Sequence, residues 1–325
     1  MIGSHRRLDD IPFVGLAVAL VGGLFFPQWF TPYHALTGML LQFIFFTSGL
    51  RIDGRAIFSE FGDLKLLFVV ASLRLVAFPI FVYFVADQFF PSLVVPLVLL
   101  AAMPAGMTSP LFVDMVKGNV PLSLLLTAGT SLLSVISIPL VLALLGGDAT
   151  VYEPLTMFRT LFFIMVVPLL VAQIFRRFSF GRLAIHQGQT LIRVSSILAL
   201  WLLIAAITSK HSDAIRGSFS SYEAFLTLLI MGVFLVLFQW VAYKACFWRS
   251  MRDRITVTLS LSYMNFTLAI FLAEMFFRDS TILLVVILSL LPWNIGLLLF
   301  QWLVRYKHWT LHSEQEDREK PAFAG

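Results

Sequence analysis

Apolar residues fall in ten blocks along the chain, near 11–30, 33–50, 64–86, 92–117, 120–145, 154–175, 190–209, 222–243, 255–277 and 281–304, with short polar breaks between them. About twenty helical residues cover the roughly 30 Å of a hydrocarbon layer. The pattern therefore predicts an all-α polytopic membrane protein with ten transmembrane helices. Two blocks depart from a plain apolar helix. The fourth contains PAGMTSP, residues 104–110, where Pro104, Gly106 and Pro110 interrupt the backbone ladder. The ninth contains SLSYMNFT, residues 260–267, the most polar interior stretch of the second half. Ten spans divide into two sets of five, and because five is odd the second set enters the membrane inverted. Matching breaks in the fourth span of each half are the sequence pointer to a binding site in inverted-repeat transporters. The expected organisation is a cytoplasmic N-terminus (1–10), a first five-helix repeat (11–145), a second, inverted repeat (154–304) and a cytoplasmic tail (305–325).

Charge distribution supports this count. Seventeen lysines and arginines fall on the side holding both termini and the even-to-odd connections. Only Lys210, Arg216 and Arg278 fall on the other, and Arg74, Arg159 and Arg193 lie inside predicted spans. Such a bias places both termini in the cytoplasm. MIGSHRRLDD, preceding a full-length apolar run, reads as the lead-in to an uncleaved first span.

Composition agrees. The 325 residues are 59% hydrophobic and 13% charged, against about 25% charged in soluble domains. The net charge of +5 belongs to cytoplasmic loops facing the bilayer, not to nucleic-acid binding. One cysteine, Cys246, excludes a disulfide framework and a thiolate cluster, and the six histidines show no ligand spacing. No cofactor and no obligate protein partner is expected.

Unwound backbone survives at membrane depth only where protein, ion or water satisfies it. A break also exposes half-helix ends that can meet an anion. Ser109-Pro110 reads as the start of a second half-helix, with Thr108 and Ser109 supplying hydroxyls there. Asn265 and Thr267 would do the same in the ninth span. Asn294, central in the tenth, serves either as substrate contact or as interhelical glue. Arg74, midway through the third span, needs a partner, a cavity or a ligand, because a charge there costs at least about 2.5 kcal/mol. It either pairs structurally, with Asp114 or a helix C-terminus, or it acts on substrate. Arg159 and Arg193 read as snorkelling, Glu274 as interfacial, and Asp114 as an i,i+3 surface pair with Lys117.

These residues resemble the bile acid:sodium symporter family. The segment AAMPAGMTSPLFVDMVKGNVPLSLLLTAGTSLLSVISIP is similar to the family's fourth and fifth spans at Pro104, Gly106, Ser109, Lys117-Gly118, Leu122-Ser123, Thr127 and Pro139. SGLR (48–51), YMNFTLAI (263–270) and WNIGLLL (293–299) resemble its second-, ninth- and tenth-span motifs. The resemblance implies a panel of spans 1, 2, 6 and 7, and a core of spans 3–5 and 8–10 with the broken helices crossed. It also implies an organic-anion substrate moved by alternating access and, through bacterial-type members, residence in the inner membrane. For sodium it implies hydroxyl ligands at Ser109, Ser123 and Thr127. However, Pro110 replaces an asparagine, Ser260 a glutamate, Met264 a glutamine and Arg74 another glutamine. These departures predict transport without sodium coupling. The alternative is a symporter using one degenerate site of Ser109, Ser123, Thr127 and Ser260. An intramembrane enzyme is disfavoured because HExxH, GxSG with a histidine partner and DDxxD motifs are missing. An arsenite exporter would carry a cysteine where Met103 and Met107 stand.

Overall fold

The computed structural model describes residues 11–52, 64–107, 109–145, 153–218, 222–277 and 279–319. The expectations placed on residues 1–10, on Thr108 and on the Asn294 side chain lie outside the described residues. Within them the backbone is mainly helical, and Ala105 and Met264 form an isolated antiparallel bridge. Helices α1 (Ile11–Phe25) and α2 (Thr37–Arg51) are shorter than the first two apolar blocks. Pro27 and Pro32 each open a new short turn, over Pro27–Phe30 and Thr31–Leu36, because proline fits the start of a helix and not its interior.

The third run is α3 (Leu64–Ser72), a π-helical turn (Leu73–Ala77) and α4 (Phe78–Phe89). The sixth repeats the device as α8 (Pro154–Leu161), a π turn (Phe162–Val166) and α9 (Val167–Arg177), and in chain order α5 to α7 come between. Each π turn precedes a proline, Pro79 or Pro168, whose ring would strike the carbonyl four residues back. Widening the turn removes that collision, so Phe78 N–H bonds the Leu73 carbonyl and Val167 N–H that of Phe162.

The fourth run is split into α5 (Val94–Ala102) and α6 (Ser109–Met115), followed by α7 (Val120–Leu145). Beyond α9 come α10 (Ser179–Gln187), α11 (Gln189–Lys210), α12 (Ser212–Ser218) and α13 (Tyr222–Ala245). The ninth run is split into α14 (Met251–Ser262) and α15 (Phe266–Phe276). The last helix, α16 (Ser280–Glu319), continues beyond residue 304, so the segment expected as a polar tail is helical up to Glu319.

Among the described residues, five stretches are long and apolar enough to cross a bilayer: Lys65–Phe89, Val120–Leu145, Pro154–Arg177, Gln189–Lys210 and Phe225–Ala245. Large apolar side chains such as Phe84, Leu144, Phe163 and Trp240 point outward, each at least 60% exposed. Water would penalise such a surface and lipid would not. The chain is a multi-pass membrane protein.

Small residues set the helix spacing. A Cβ on Gly15 would fall inside the Trp201 ring, and one on Gly23 would lie 2.6 Å from the Ala205 carbonyl oxygen, so α1 lies directly against α11. Gly49 brings α2 equally close to Ala172 of α9. Helices α1, α2, α9 and α11 thus pack on one another, while α4, α5, α6, α7, α13, α14 and α16 form a second group. The groups meet where α15 touches α2 and α11, and where α7 touches α8.

Candidate functional site

Both split helices break at one place and cross there. Ala105 and Met264 form the isolated antiparallel bridge. Gly106 N–H donates to the Tyr263 carbonyl at 2.5 Å, and Asn265 N–H donates to the Pro104 carbonyl at 3.0 Å. Ala105 N–H reaches the Thr130 hydroxyl at 3.2 Å, and Met103 N–H the Leu100 carbonyl at 3.2 Å. Pro104 has no N–H to satisfy. The unwound segments therefore satisfy one another, as buried backbone in hydrocarbon must. Gly106 is required, because a Cβ there would stand 2.5 Å from the Tyr263 ring and 2.9 Å from its carbonyl oxygen.

Both expected half-helix starts are present. α6 begins at Ser109, with Pro110 in its first turn. α15 is capped by Asn265, whose Oδ1 accepts from Leu268 N–H at 3.1 Å. That bond fixes the amide orientation and leaves Asn265 Nδ2, in a side chain only 5% exposed, without a partner.

A cavity of about 340 Å³ runs from this crossing toward the ends of α2 and α6. Leu41, Ile44, Phe45, Leu200 and Ile204 form its apolar wall. Gly106, Met107, Asn265 and Thr267 form its floor, with Ser48 on the flank, and the Ser48 hydroxyl is buried without a partner. Arg51, Lys117 and Arg193 stand at its mouth against one acid, Asp114. Gln173 and Arg176 hold the end of α2 by donating to the carbonyls of Gly49, Leu50 and Ile52, and so fix Arg51 at the mouth.

Of the residues singled out from the sequence, Asn265 and Thr267 line this cavity. Ser109 does not. It is fully buried, and its hydroxyl bonds that of Thr127 at 2.9 Å. Ser123 and Ser260 form a second such pair at 2.8 Å. Arg74 is also outside the lining, so the expectation of direct substrate contact does not describe this conformation. It is fully buried, donates to the Leu100 carbonyl at 3.4 Å near the end of α5, and lies 4.9 Å from the Phe238 ring centre and 5.6 Å from that of Phe78. Its Nε and Nη1 have no acceptor. Of the two structural partners considered, the helix C-terminus is the one found, and Asp114 is not.

The structure moves three other residues. Arg193, read as snorkelling, lines the cavity. Asp114 and Lys117 form no ion pair, and Lys117 instead takes a positive φ of 56° that ends α6. Glu274 is no bare interfacial acid: it binds His34 at 3.0 Å, Lys210 at 2.6 Å and His211 at 2.5 Å. Arg51, Arg193 and Ser48 were not legible as a site, since they sit on α2 and α11, far apart in sequence.

An all-helical, lipid-facing shell around a pair of broken, crossed helices beside a partly polar cavity defines a polytopic membrane protein of the carrier type. The comparisons give the family: residues 13–307 match the SBF-like CPA transporter family, and the chain belongs to it. This is a family of relatives of the bile acid:sodium symporters, so the protein is a membrane transporter and not an enzyme. It is similar to sodium/bile acid cotransporter 7 of Danio rerio, 29% identical over 153 residues, covering 45% of this chain and 46% of that protein. The match thus spans under half the length of that relative. It is also similar to the uncharacterized protein YbaS of Bacillus subtilis, 23% identical over 278 residues, 83% of this chain and 89% of that one.

Proposed function

We propose that the protein carries an organic anion across the cell membrane by alternating access, with the solute seated in the cavity beside the crossing. One observation carries this reading: Asn265, whose buried Nδ2–H has no partner, lines a 340 Å³ cavity whose mouth holds three basic groups against one acid. An unpaired buried donor costs about 1–3 kcal/mol, which a solute oxygen would return. The apolar wall suits the body of an amphipathic anion. In this reading ten spans form two inverted five-helix repeats, α1, α2, α9 and α11 make the panel, and the other spans make the core. The termini lie in the cytoplasm, in bacteria at the inner membrane, and the cavity faces inward.

Sodium does not fit the residues present. The hydroxyls of Ser109, Thr127, Ser123 and Ser260 are bonded in pairs, and no carboxylate is among them. The turn carrying Arg74 packs against α7, which bears Ser123 and Thr127, so a fixed positive charge stands near where relatives would place the ion. The central charge and the hydroxyl pairs support transport without sodium. In proteoliposomes, uptake should be unchanged when choline replaces external sodium; a steep sodium dependence would overturn this.

The site is tested by thermal shift of the purified protein with cholate, taurocholate and shorter carboxylates. A binding anion at 100 times its Kd raises stability by about 2.7 kcal/mol. Asn265→Ala should remove most of that shift, at a cost of about 1 kcal/mol from the lost cap. Equal shifts in parent and variant would place the anion elsewhere.

A further inference from the structure

Each half-helix that leaves the crossing carries one carboxylate near its far end. Glu274 lies ten residues past Met264 on α15, and Asp114 lies nine past Ala105 on α6, where Ala105 and Met264 are the bridged pair. Glu274 is engaged. Its two oxygens hold His34, just before α2, and Lys210 and His211, at the end of α11. One side chain, 12% exposed, thereby joins the half-helix to both of the helices that wall the cavity.

Arg51 and Arg193 stand at the opposite ends of those two helical runs. Each is seventeen residues from its counterpart, His34 or Lys210, which is roughly 25 Å of helix. They share the cavity mouth with Asp114, and among the described residues none of the three makes an ion pair. Asp114 is exposed. The same two helices thus carry basic groups at both ends. At one end a half-helix acid holds them, and at the other the half-helix acid faces them across open space.

We propose that Asp114 is the second of two alternating latches: when Glu274 releases His34, Lys210 and His211, the mouth closes by Asp114 meeting Arg51 and Arg193. The inference rests on the alternating-access reading and adds the residues that set its two end states. A reversible carrier needs states only a few kcal/mol apart, or the minor one is never visited. Trading one partly buried ion cluster for another keeps them near balance. A carboxylate placed between them also offsets part of the repulsion between the two guanidiniums that share the open mouth.

The test uses the full chain in sealed vesicles, with Cys246→Ser and Ile197→Cys placing one thiol on the cavity wall. A membrane-impermeant maleimide is applied from either side, and the ratio of labelling from the two sides is read. The parent should label mainly from the Arg51 side. Glu274→Gln should shift the ratio toward the other side by about tenfold. Asp114→Asn should shift it the opposite way and reverse most of the Glu274→Gln effect in the double variant. Asp114→Arg with Arg193→Asp should restore the parental ratio, which also guards against a fold defect in the single variant. If Glu274→Gln opens the far side while Asp114→Asn changes nothing in either background, the second latch is wrong and alternating access stands. If Ile197→Cys is never labelled from the Glu274 side in any variant, the alternating-access reading itself fails, and the latches with it.

Discussion

Gly106→Ala should abolish uptake and lower the melting temperature of the purified protein. The new methyl carbon would lie 2.5 and 2.9 Å from two carbons of the Tyr263 ring, and 2.9 Å from the Tyr263 carbonyl oxygen. The ring can swing aside. The carbonyl cannot, because it accepts the Gly106 N–H at 2.5 Å and belongs to the bridge itself. The crossing must therefore part. Its two main-chain bonds weaken together, since Asn265 N–H to the Pro104 carbonyl lies one step along the same bridge. Leaving such groups unpaired in a buried site costs about 1–3 kcal/mol each, so a loss of about 2–4 kcal/mol is expected. A displacement of an ångström at the floor of the cavity should reduce uptake by about a hundredfold or more. Gly38→Ala is the control: its methyl would meet only one Phe271 ring carbon, at 3.9 Å, and both stability and uptake should be unchanged. A Gly106→Ala protein that melts and transports like the parent would show that the crossing yields more easily than its bonds suggest.

Arg74→Met should have the opposite effect on stability, raising the melting temperature while slowing transport by about tenfold or more. The opposing effects can be compared. Burying the charge at mid-span costs about 2.5–3.5 kcal/mol even on the lenient insertion scale. The unpartnered Nε and Nη1 add about 1–3 kcal/mol each when nothing accepts from them. Against this stand two ring faces, worth about 0.5–2 kcal/mol apiece, and the negative end of α5, worth at most about 2. The costs win. Methionine fills much of the same space without the charge, so the variant should melt several degrees higher. A destabilising residue kept at full burial points to function, and loss of transport in a more stable protein is the expected sign of it. Arg74→Ala separates out the packing, because it also leaves a void and should be less stable than Arg74→Met by about 2 kcal/mol. Should Arg74→Met melt lower than the parent yet transport normally, Arg74 is only a helix cap.

Much of the scaffold was legible because its signals are local. Pro104, Gly106 and Pro110 crowded into seven residues strongly disfavour a continuous helix, and the chain unwinds after Ala102 and resumes at Ser109. The ninth-span break was readable from Asn265 and its polar neighbours, which compete with the helix backbone for hydrogen bonds. The short α1 and α2 followed from Pro27 and Pro32, but an apolar count passes over prolines near block ends. The cavity mouth was not legible. An arginine one turn inside a span, like Arg193, or in the loop just beyond one, like Arg51, reads the same whether it reaches lipid headgroups or a cavity, and only the packing of α2 against α11 brings both to the cavity. The hydroxyl pairs were hidden for a similar reason. Ser123 and Ser260 stand 137 residues apart, and spacing along the chain says nothing about their contact. Glu274 was placed correctly near a helix end, yet none of its three partners lies in its own half-helix.

The crossing is made of main-chain atoms, and this separates two tasks within one site. Amide and carbonyl groups at positions 104, 106, 263 and 265 hold the half-helices in place, whatever side chains accompany them, glycine at 106 excepted. The groups that line the cavity floor, at Met107, Asn265 and Thr267, are side chains attached to that frame. Solute preference can therefore drift by substitution at the floor of the cavity while the crossing stays fixed. Relatives that share this crossing need not share a cargo.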